Sequence, residues 1–206
     1  ASKGILDYLL KEDVSSINLA VSTTKRYLGN IKSKVLIVDD SEIMRSHLVG
    51  ILENQLLKVY EANSYGSAID ILENRDDIMM VISDYDMQDG DGLTLIKKVR
   101  QNYSKEIVSI LVISNNLKSE VATKILKRGA NDFIHKGFSP QEFAARVNMN
   151  LDMLDLFKTN VDRANKDYLT KLNNRRHFFE LAKPLYKNAK KRLFKYYSSH
   201  DRYRLF

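Results

Sequence analysis

Two kinds of hydrophobic pattern alternate along residues 34–136. Short runs rich in β-branched residues, which are typical of strands, are followed by longer stretches with helical spacing. The strand-like runs are KVLIV (34–38), LLKVYEA (56–62), IMMVIS (78–83), VSILVIS (108–114) and NDFIH (131–135). Strands that alternate with helices of about 10–14 residues predict βαβ units and a parallel sheet. The central runs are apolar throughout, as strands covered on both faces must be.

The stretches between these runs each carry one apolar stripe. The stripes are Ile43, His47, Leu48, Ile51 and Leu52; Ala68, Ile71 and Leu72; Leu93, Ile96 and Val99; and Val121, Ile125 and Leu126. Five strand–helix units in about 120 residues predict one α/β domain, a doubly wound five-stranded parallel sheet over residues 34–157.

A long helix is predicted to follow the fifth strand. Ser139 is a suitable N-cap and Pro140 suits the first helical turn. Apolar residues then recur at heptad spacing, and the charge rises beyond residue 155. We therefore expect a helical C-terminal extension that leaves the domain, with residues 158–166 as a helical connector. The heptad positions are Val147, Leu151, Leu154 and Val161.

An internal repeat lies at an offset of 125 residues. KGILDYLLK (3–11) aligns with RGANDFIHK (128–136), and a helix-like stretch follows both copies. Residues 1–28 are therefore interpreted as the last strand and last helix of an earlier, similar domain, and residues 29–33 as the linker. Chance similarity is the alternative.

Composition and charge exclude several classes of protein. The chain has 206 residues and no cysteine, so it has no disulfide, zinc–thiolate site or cysteine nucleophile. It has no apolar run of about 18 residues and no secretory signal pattern, which favours a cytoplasmic protein away from membranes. The net charge of +7 is uneven, because residues 1–157 hold 19 basic and 22 acidic residues and residues 158–206 hold 14 and 4. Nucleic-acid binding by this basic quarter is disfavoured, since no groove-reading motif accompanies it.

Polar side chains follow four of the predicted strands. Functional groups collect at the carboxyl ends of parallel strands, and these ends carry Asp39 and Asp40, then Asp84 and Asp86, then Ser114, then Lys136. Clustered carboxylates repel by about 4 kcal/mol per pair at 4 Å and an effective dielectric near 20. An all-oxygen set favours Mg²⁺. A metal beside a carboxylate nucleophile suits an aspartyl-phosphate intermediate, with Lys136 and Ser114 contacting the phosphoryl oxygens.

Some of these residues also allow other interpretations. Asp39 could act only as a helix cap, and Phe133 only as a core aromatic residue. An Asp-x-Asp hydrolase would use Asp84 and Asp86, but it gives no reason for Asp39 and Asp40 on another strand. The four histidines show no metal-ligand spacing.

Residues 34–157 resemble a response-regulator receiver domain. The motifs that carry the resemblance are KVLIVDDSEIMR (34–45), VISDYDMQDGDGL (81–93), ILVISN (110–115) and GANDFIHK (129–136). The resemblance implies a flavodoxin-like fold, with Asp84 as phosphoacceptor, Ser114 as switch hydroxyl, Phe133 as switch aromatic residue and Lys136 as the lysine that senses the phosphoryl group. It also implies a Mg²⁺ site made by Asp39, Asp40, Asp84 and the main-chain carbonyl of Asp86.

Two positions depart from the family pattern. Gln88 follows Met87 where the family usually has proline, and Gly137 follows Lys136 where the family has a proline with a cis bond. A cis bond before glycine costs about 2.5–4 kcal/mol, so we expect a trans peptide.

The C-terminal quarter resembles the start of a diguanylate cyclase (GGDEF) domain. DYLTKLNNRRHFFE (167–180) matches the opening pattern D-x-L-T-x-L-x-N-R-R-x-F, but the cyclase signature motif does not occur in this chain. Residues 167–206 are therefore interpreted as an incomplete cyclase start. Reverse translation of the last nine residues, read one base later, gives AVMIDIDYF, the strand expected there. We therefore expect a change of reading frame after about residue 192, with no compact domain formed by residues 181–206.

The resemblance implies a receiver–receiver–GGDEF signalling protein with a truncated output domain. The expected function is Mg²⁺-dependent phosphorylation of Asp84 by a sensor histidine kinase or a small phosphodonor, which controls homodimerisation and a cyclase output. The alternative is a receiver-like adaptor that is never phosphorylated and serves as a dimerisation surface.

Overall fold

The computed structural model of the protein describes residues 14–87, 90–115 and 119–200. The chain divides into two compact units, with the boundary after Asp155. The strand predicted at residues 3–11, the position of Gln88 and residues 201–206 lie outside the described residues. Within the described residues, no helix is long and apolar enough to cross a membrane.

Five strands form where the β-branched runs predicted them, with ends that differ by no more than two residues, and two short strands form where no strand was predicted. They are β1 (Lys34–Val38), β2 (Lys58–Ala62), β3 (Met80–Asp84), the short β4 (Asp86–Met87) and β5 (Gly90–Asp91), β6 (Ser109–Ser114) and β7 (Asp132–His135). The helices are α1 (Val14–Asn30), α2 (Glu42–Asn54), α3 (Tyr65–Asn74), α4 (Gly92–Asn102), α5 (Ser119–Arg128), α6 (Pro140–Asn165) and α7 (Arg175–His200).

Five strands form one parallel sheet in the order β2–β1–β3–β6–β7. This is the order of the flavodoxin-like doubly wound fold, in which the chain turns back at the boundary between β1 and β3. The predicted fold class is therefore confirmed. The strands β4 and β5 pair with each other as a separate antiparallel ladder directly after β3.

The sheet is covered on both faces by separate hydrophobic clusters. One cluster joins alternate residues of β1, β3 and β6 to α2 and α6, and the other joins the remaining residues of these strands to α3, α4 and α5. Val35–Val38 of β1 and Met80–Ile82 of β3 are apolar because each of these side chains enters one of the two clusters. Packing in these two hydrophobic clusters holds the carboxyl ends of neighbouring strands in register.

The predicted apolar stripes are confirmed for most of their residues. Leu48, Ile51 and Leu52 of α2 are buried, but Ile43 and His47 are exposed. Ile43 lies in the first turn of α2, before the part of this helix that contributes to the core. Val161, beyond the domain boundary, is exposed as expected for a helix that leaves the domain.

Helix α1 precedes the sheet, and buried polar groups anchor it to α6 and to the end of α2. The Arg26 side chain is 7% exposed and donates to Asp152 at 2.9 Å and to Asp155 at 2.8 Å, both on α6. Its Nε donates to Asn30, and the Asn30 amide donates to the Gln55 main-chain carbonyl. Helix α1 thus extends two residues beyond the predicted helix, into the segment expected to be a linker. Its assignment to a preceding receiver domain stays a prediction.

The second unit contains the end of α6, a tight turn and α7. The Asp167 carboxylate accepts from the main-chain N–H groups of Leu169 and Thr170 and from the Thr170 hydroxyl. Asn174 caps α7 by accepting from the His177 N–H at 3.0 Å. Helix α7 continues to His200, and residues of its described part such as Phe178 are exposed. The proposed change of reading frame stays a prediction.

Removal of the carboxylates that pair with Arg26 is expected to destabilise the protein more than removal of Arg26. The double variant Asp152→Asn/Asp155→Asn leaves a buried cation without an anionic partner, which costs about 3–5 kcal/mol. Arg26→Met leaves two carboxylates that are 65% and 50% exposed and remain hydrated, and it costs about 1–3 kcal/mol through the lost partner of Asn30. Thermal unfolding of both variants measures the difference.

Glu142→Gln on α6 is the matched control, because Glu142 pairs with Arg146 at a more exposed position. This change is expected to cost less than about 1 kcal/mol. A greater loss of stability in Arg26→Met than in the double variant would contradict the expected asymmetry.

Candidate functional site

Three carboxylates meet where β1 and β3 end. Asp39 and Asp40 follow β1 directly, Asp84 is the last residue of β3, and the two strands are neighbours in the sheet. One oxygen from each of the three side chains lies within 4.8 Å of the other two. Asp39 is 1% exposed and Asp84 is 3% exposed, whereas Asp40 is the most exposed of the three. The predicted carboxylate cluster is therefore present at this edge of the sheet.

A lysine that follows β7 reaches the carboxylates, and a serine ends the neighbouring strand β6. Ser114 ends β6 and is fully buried. Its carbonyl accepts from the Lys136 N–H at 2.8 Å, so β6 and the residue after β7 are joined at this edge. The Lys136 Nζ lies 2.7 Å from Asp84 Oδ2 and 3.7 Å from Asp39 Oδ2. The four strand ends named from the sequence thus converge.

Burial governs the electrostatics of the Asp84–Lys136 pair. Burial raises the pKa of Asp84 above its ordinary value, and the hydrogen bond and charge of Lys136 offset only part of this rise. Burial by itself would lower the pKa of Lys136, but the hydrogen bond and charge of Asp84, together with the charge of Asp39, outweigh it and raise this pKa. A buried carboxylate with a raised pKa beside a cation makes Asp84 a candidate functional residue.

Two carboxylate oxygens at the site lack a hydrogen-bond partner among the described residues. They are Asp39 Oδ2 and Asp84 Oδ1, and both are buried. An unpaired buried carboxylate oxygen is costly in free energy unless a ligand uses it. Three clustered carboxylates form the hard, oxygen-only donor set that Mg²⁺ prefers. The residues present therefore fit a divalent cation.

The side chains of Asp86 and Phe133 lie outside the carboxylate cluster. Asp86 is exposed on β4, and its main-chain N–H donates to the Asp84 carboxylate. The sequence interpretation assigned its main-chain carbonyl, not its side chain, to the metal, and this assignment stays a prediction. Phe133 lies on β7, half-buried against the cluster that includes α4 and α5. Its position is compatible with a switch residue and with a core aromatic residue.

The structure accommodates Gly137, the departure beside Lys136, without loss of the ion pair between Lys136 and Asp84. The described residues contain no cis peptide bond, so the expected trans peptide before Gly137 is confirmed. Gly137 has φ +139°, a conformation that proline cannot adopt because its ring holds φ near −65°. The backbone therefore leaves Lys136 along a path suited to glycine.

Gly92 is a positioning residue that the sequence interpretation did not identify. Its N–H donates to the Tyr85 carbonyl at 2.9 Å, and a Cβ at this position would lie 2.8 Å from the main-chain oxygen of Asp84. Only glycine allows α4 to begin so close to the end of β3. The available signal was the glycine itself, at the start of a predicted helix, where glycine is a poor helix former.

The comparisons with known proteins agree with this geometry. The model of the family "Response regulator receiver domain" matches residues 35–148, which is more than half of the chain. A "Chemotaxis protein CheY homolog" of Campylobacter jejuni is 38% identical over 114 residues, which cover 52% of this chain and 84% of that protein. "Chemotaxis protein CheY1" of Helicobacter pylori is 37% identical over 128 residues, which cover 59% of this chain and 99% of that protein.

A solved structure described as a two-component system response regulator/GGDEF domain protein extends the similarity. It is 38% identical, with a TM-score of 0.69, and the match covers 74% of this chain. The chain spans 62% of the length of that protein. The shared part thus exceeds the receiver domain, while more than a third of the solved chain has no counterpart in the match.

Asp84→Asn is expected to raise the melting temperature of the metal-free protein at pH 7. Because the pKa of Asp84 is raised by burial, ionisation of this group costs folding free energy, and stability falls as the pH rises from the ordinary aspartate pKa through the raised one. The neutral amide avoids this cost, so the advantage of the variant should shrink below about pH 4. Thermal unfolding in EDTA between pH 4 and pH 7 measures this dependence, and a lower melting temperature for the variant at pH 7 would contradict it.

Proposed function

Because the chain belongs to the response regulator receiver domain family, we propose that it accepts a phosphoryl group on Asp84 in a Mg²⁺-dependent reaction. The donor is a sensor histidine kinase or a small phosphodonor. The observation that carries this proposal is the Asp84 carboxylate, which is buried, pairs with Lys136 at 2.7 Å and keeps Oδ1 without a partner among the described residues. That oxygen is the candidate nucleophile.

The reaction transfers a phosphoryl group from a covalent bond with the donor to a covalent bond with Asp84. An Asp84 oxygen attacks the phosphorus atom, a new P–O bond forms, and the bond from phosphorus to the donor breaks, with its electron pair leaving on the donor. The Lys136 ammonium, which pairs with Asp84 before the reaction, pairs with phosphoryl oxygens as their charge develops. The Ser114 hydroxyl donates to one of these oxygens. Burial limits the access of water to the acyl phosphate product.

The carboxylates around Asp84 suit a divalent cation. Asp39, Asp40 and Asp84, with the main-chain carbonyl of Asp86, would hold Mg²⁺. When bound, Mg²⁺ supplies positive charge that offsets the carboxylate repulsion and the phosphoryl charge. This assignment is supported by the oxygen atoms that lie within 4.8 Å of one another and by two buried oxygens that accept no hydrogen bond from the part of the chain that the structure describes.

Phosphorylation then acts as an electrostatic switch. The phosphoryl group adds about −1.5 to −2 charges, which draws Ser114 and Lys136 toward Asp84 and biases a two-state equilibrium. Phe133, half-buried on the adjacent strand, responds to this movement. The face formed by α5 and β7 changes and controls homodimerisation, which in a longer protein brings two output domains together.

The proposed output is a diguanylate cyclase. Support comes from the motif at residues 167–180 and from the similarity to a response regulator/GGDEF domain protein. The Asp167 turn and the Asn174 cap give several positions of this motif local structural roles. The cyclase signature does not occur in the chain, so cyclase activity belongs to a longer protein, which we propose acts in the cytoplasm.

A second candidate function is a receiver-like adaptor that is never phosphorylated. It is motivated by Gly137, which replaces the usual proline and has φ +139°. The contact between Lys136 and Asp84 argues against it, since this contact is made despite the substitution. Beryllofluoride with Mg²⁺ distinguishes the two candidates, because only a phosphorylatable site should bind it and raise the melting temperature.

Acetyl phosphate with Mg²⁺ is expected to add the mass of one phosphoryl group to the protein, measured by intact mass spectrometry. Asp84→Asn should abolish this addition completely, because the amide is not a nucleophile. Asp70→Asn is the matched control: Asp70 is an exposed aspartate on α3, outside the carboxylate cluster, so labelling should persist. Labelling that persists in Asp84→Asn would show that the phosphoacceptor is another residue.

Asp40→Ala is expected to weaken Mg²⁺ binding and leave the fold intact. Asp40 is the most exposed of the three carboxylates, and its removal also relieves repulsion, so the metal-free protein should be at least as stable as the parent. Isothermal titration with MgCl₂ and thermal unfolding in EDTA measure the two effects. Unchanged Mg²⁺ affinity would show that the metal site lies elsewhere.

A further inference from the structure

Arg45 contacts the carboxylate cluster from outside and has no role in the mechanism described above. It lies near the start of α2, and its side chain is only 14% exposed. Its Nη1 donates to the main-chain carbonyl of Asp39 at 2.8 Å. Its Nε lies 3.5 Å from a carboxylate oxygen of Glu61 on β2, the strand next to β1. Arg45 thus joins the edge strand to the peptide at which the carboxylates begin.

Three hydrogen bonds hold Asp39, and its Oδ2 also lies 3.7 Å from the Lys136 Nζ. Its main-chain N–H donates to the Ala62 carbonyl, its Oδ1 accepts from the Ser41 N–H at 2.9 Å, and its carbonyl accepts from Arg45. Its Oδ2 is left without a hydrogen-bond partner among the described residues. The contacts therefore fix the orientation of Asp39 and leave one oxygen for a ligand.

The Asp39 carbonyl belongs to the peptide that joins Asp39 to Asp40. The orientation of this peptide decides where the backbone of Asp40 begins, and hence where two consecutive carboxylates are placed. Without a fixed peptide, mutual repulsion would move the carboxylates apart in the metal-free protein. A hydrogen bond from a guanidinium is about twice as strong as one between neutral groups, so Arg45 is well suited to oppose this movement.

We propose that Arg45 is a positioning residue of the Mg²⁺ site, which holds the Asp39–Asp40 peptide in the orientation that binding requires. This inference rests on the proposed function, since it assigns a role to Arg45 at the same site. Glu61 holds the other edge of the guanidinium. Groups that orient metal ligands through hydrogen bonds typically contribute 10-fold to 100-fold to metal affinity.

A positioning role and a purely electrostatic role of Arg45 predict opposite changes in Mg²⁺ affinity when the arginine is removed. The Arg45 guanidinium is a cation close to the proposed metal, so as a charge alone it opposes Mg²⁺ binding. If charge were its only effect, Arg45→Met would tighten Mg²⁺ binding. If Arg45 positions the ligands, the same variant weakens binding even though a positive charge has been removed.

The test is isothermal titration of the full chain with MgCl₂, with thermal unfolding in EDTA as a separate readout of stability. Arg45→Met is expected to weaken Mg²⁺ affinity about 10-fold. Arg45→Lys keeps a cationic donor but loses the planar fork that contacts two partners at once. Its Mg²⁺ affinity should therefore lie between that of Arg45→Met and that of the parent. Glu61→Gln should weaken binding less than Arg45→Met, because Glu61 acts only through Arg45.

Arg146→Met is the matched control, since Arg146 is also a partly buried arginine with carboxylate partners, Asp132 and Glu142, away from the site. It should change stability without changing Mg²⁺ affinity. Unchanged or tighter binding in Arg45→Met overturns the inference. If Arg45→Met does not fold, Arg45→Lys decides: weakened binding supports the inference, and affinity equal to that of the parent overturns it.

Asp40→Ala separates this inference from the proposed function. If Asp40→Ala and Arg45→Met both leave Mg²⁺ affinity unchanged, the metal site itself is misassigned and the proposed function fails with it. If only Asp40→Ala weakens binding, the metal site stands and the role of Arg45 is overturned.

Discussion

The burial of like charges at the ends of two neighbouring strands is the constraint on which the rest of the site depends. Asp39 and Asp84 are almost fully buried, on strands that pair directly. A parallel sheet brings its carboxyl ends together at one edge, so this repulsion is imposed by the topology. It is compensated locally, by the Lys136 ammonium on one side and by the Ser41 N–H on the other. The negative charge that these groups do not compensate allows the site to bind a cation.

The hydrophobic layers make this arrangement possible. Strands β1, β3 and β6 send side chains into both clusters, and such strands cannot slip in register without exposing apolar groups. The energy of these layers therefore holds the carboxylates close together. Gly92 contributes to the same close packing through the backbone. It lets the start of α4 approach the end of β3, where a side chain would not fit.

The polar anchor of α1 shows how a segment outside the family match becomes part of the domain. Arg26 and Asn30 precede residue 35, where the match begins, and both side chains are buried. Their partners include Asp152 and Asp155 on α6, beyond residue 148, where the match ends. The two segments that flank the family domain in sequence are thus joined to each other, and α6 is the helix that continues into the second unit.

The sequence by itself determined the architecture and the chemical identity of the site. Strand runs, helical stripes and polar residues after the strands are local patterns, and in a parallel α/β fold these patterns imply which strand ends meet. The sequence also anticipated the Ser139 cap of α6. It could not determine which carboxylate is buried, because burial depends on neighbouring elements that are distant in the chain.

Only the tertiary structure decided how the site is supported. The contacts of Arg45 with Asp39 and Glu61, of Gly92 with the end of β3, and of Arg26 with Asp152 join residues on different elements. A single sequence carries no periodic signal for such pairs. The exposure of Ile43 has the same origin: the helical pattern placed it on the apolar stripe, but the core does not extend to the first turn of α2. The spacing of apolar residues predicts which face of a helix is apolar. Packing against elements that are distant in the chain decides which part of that face is buried.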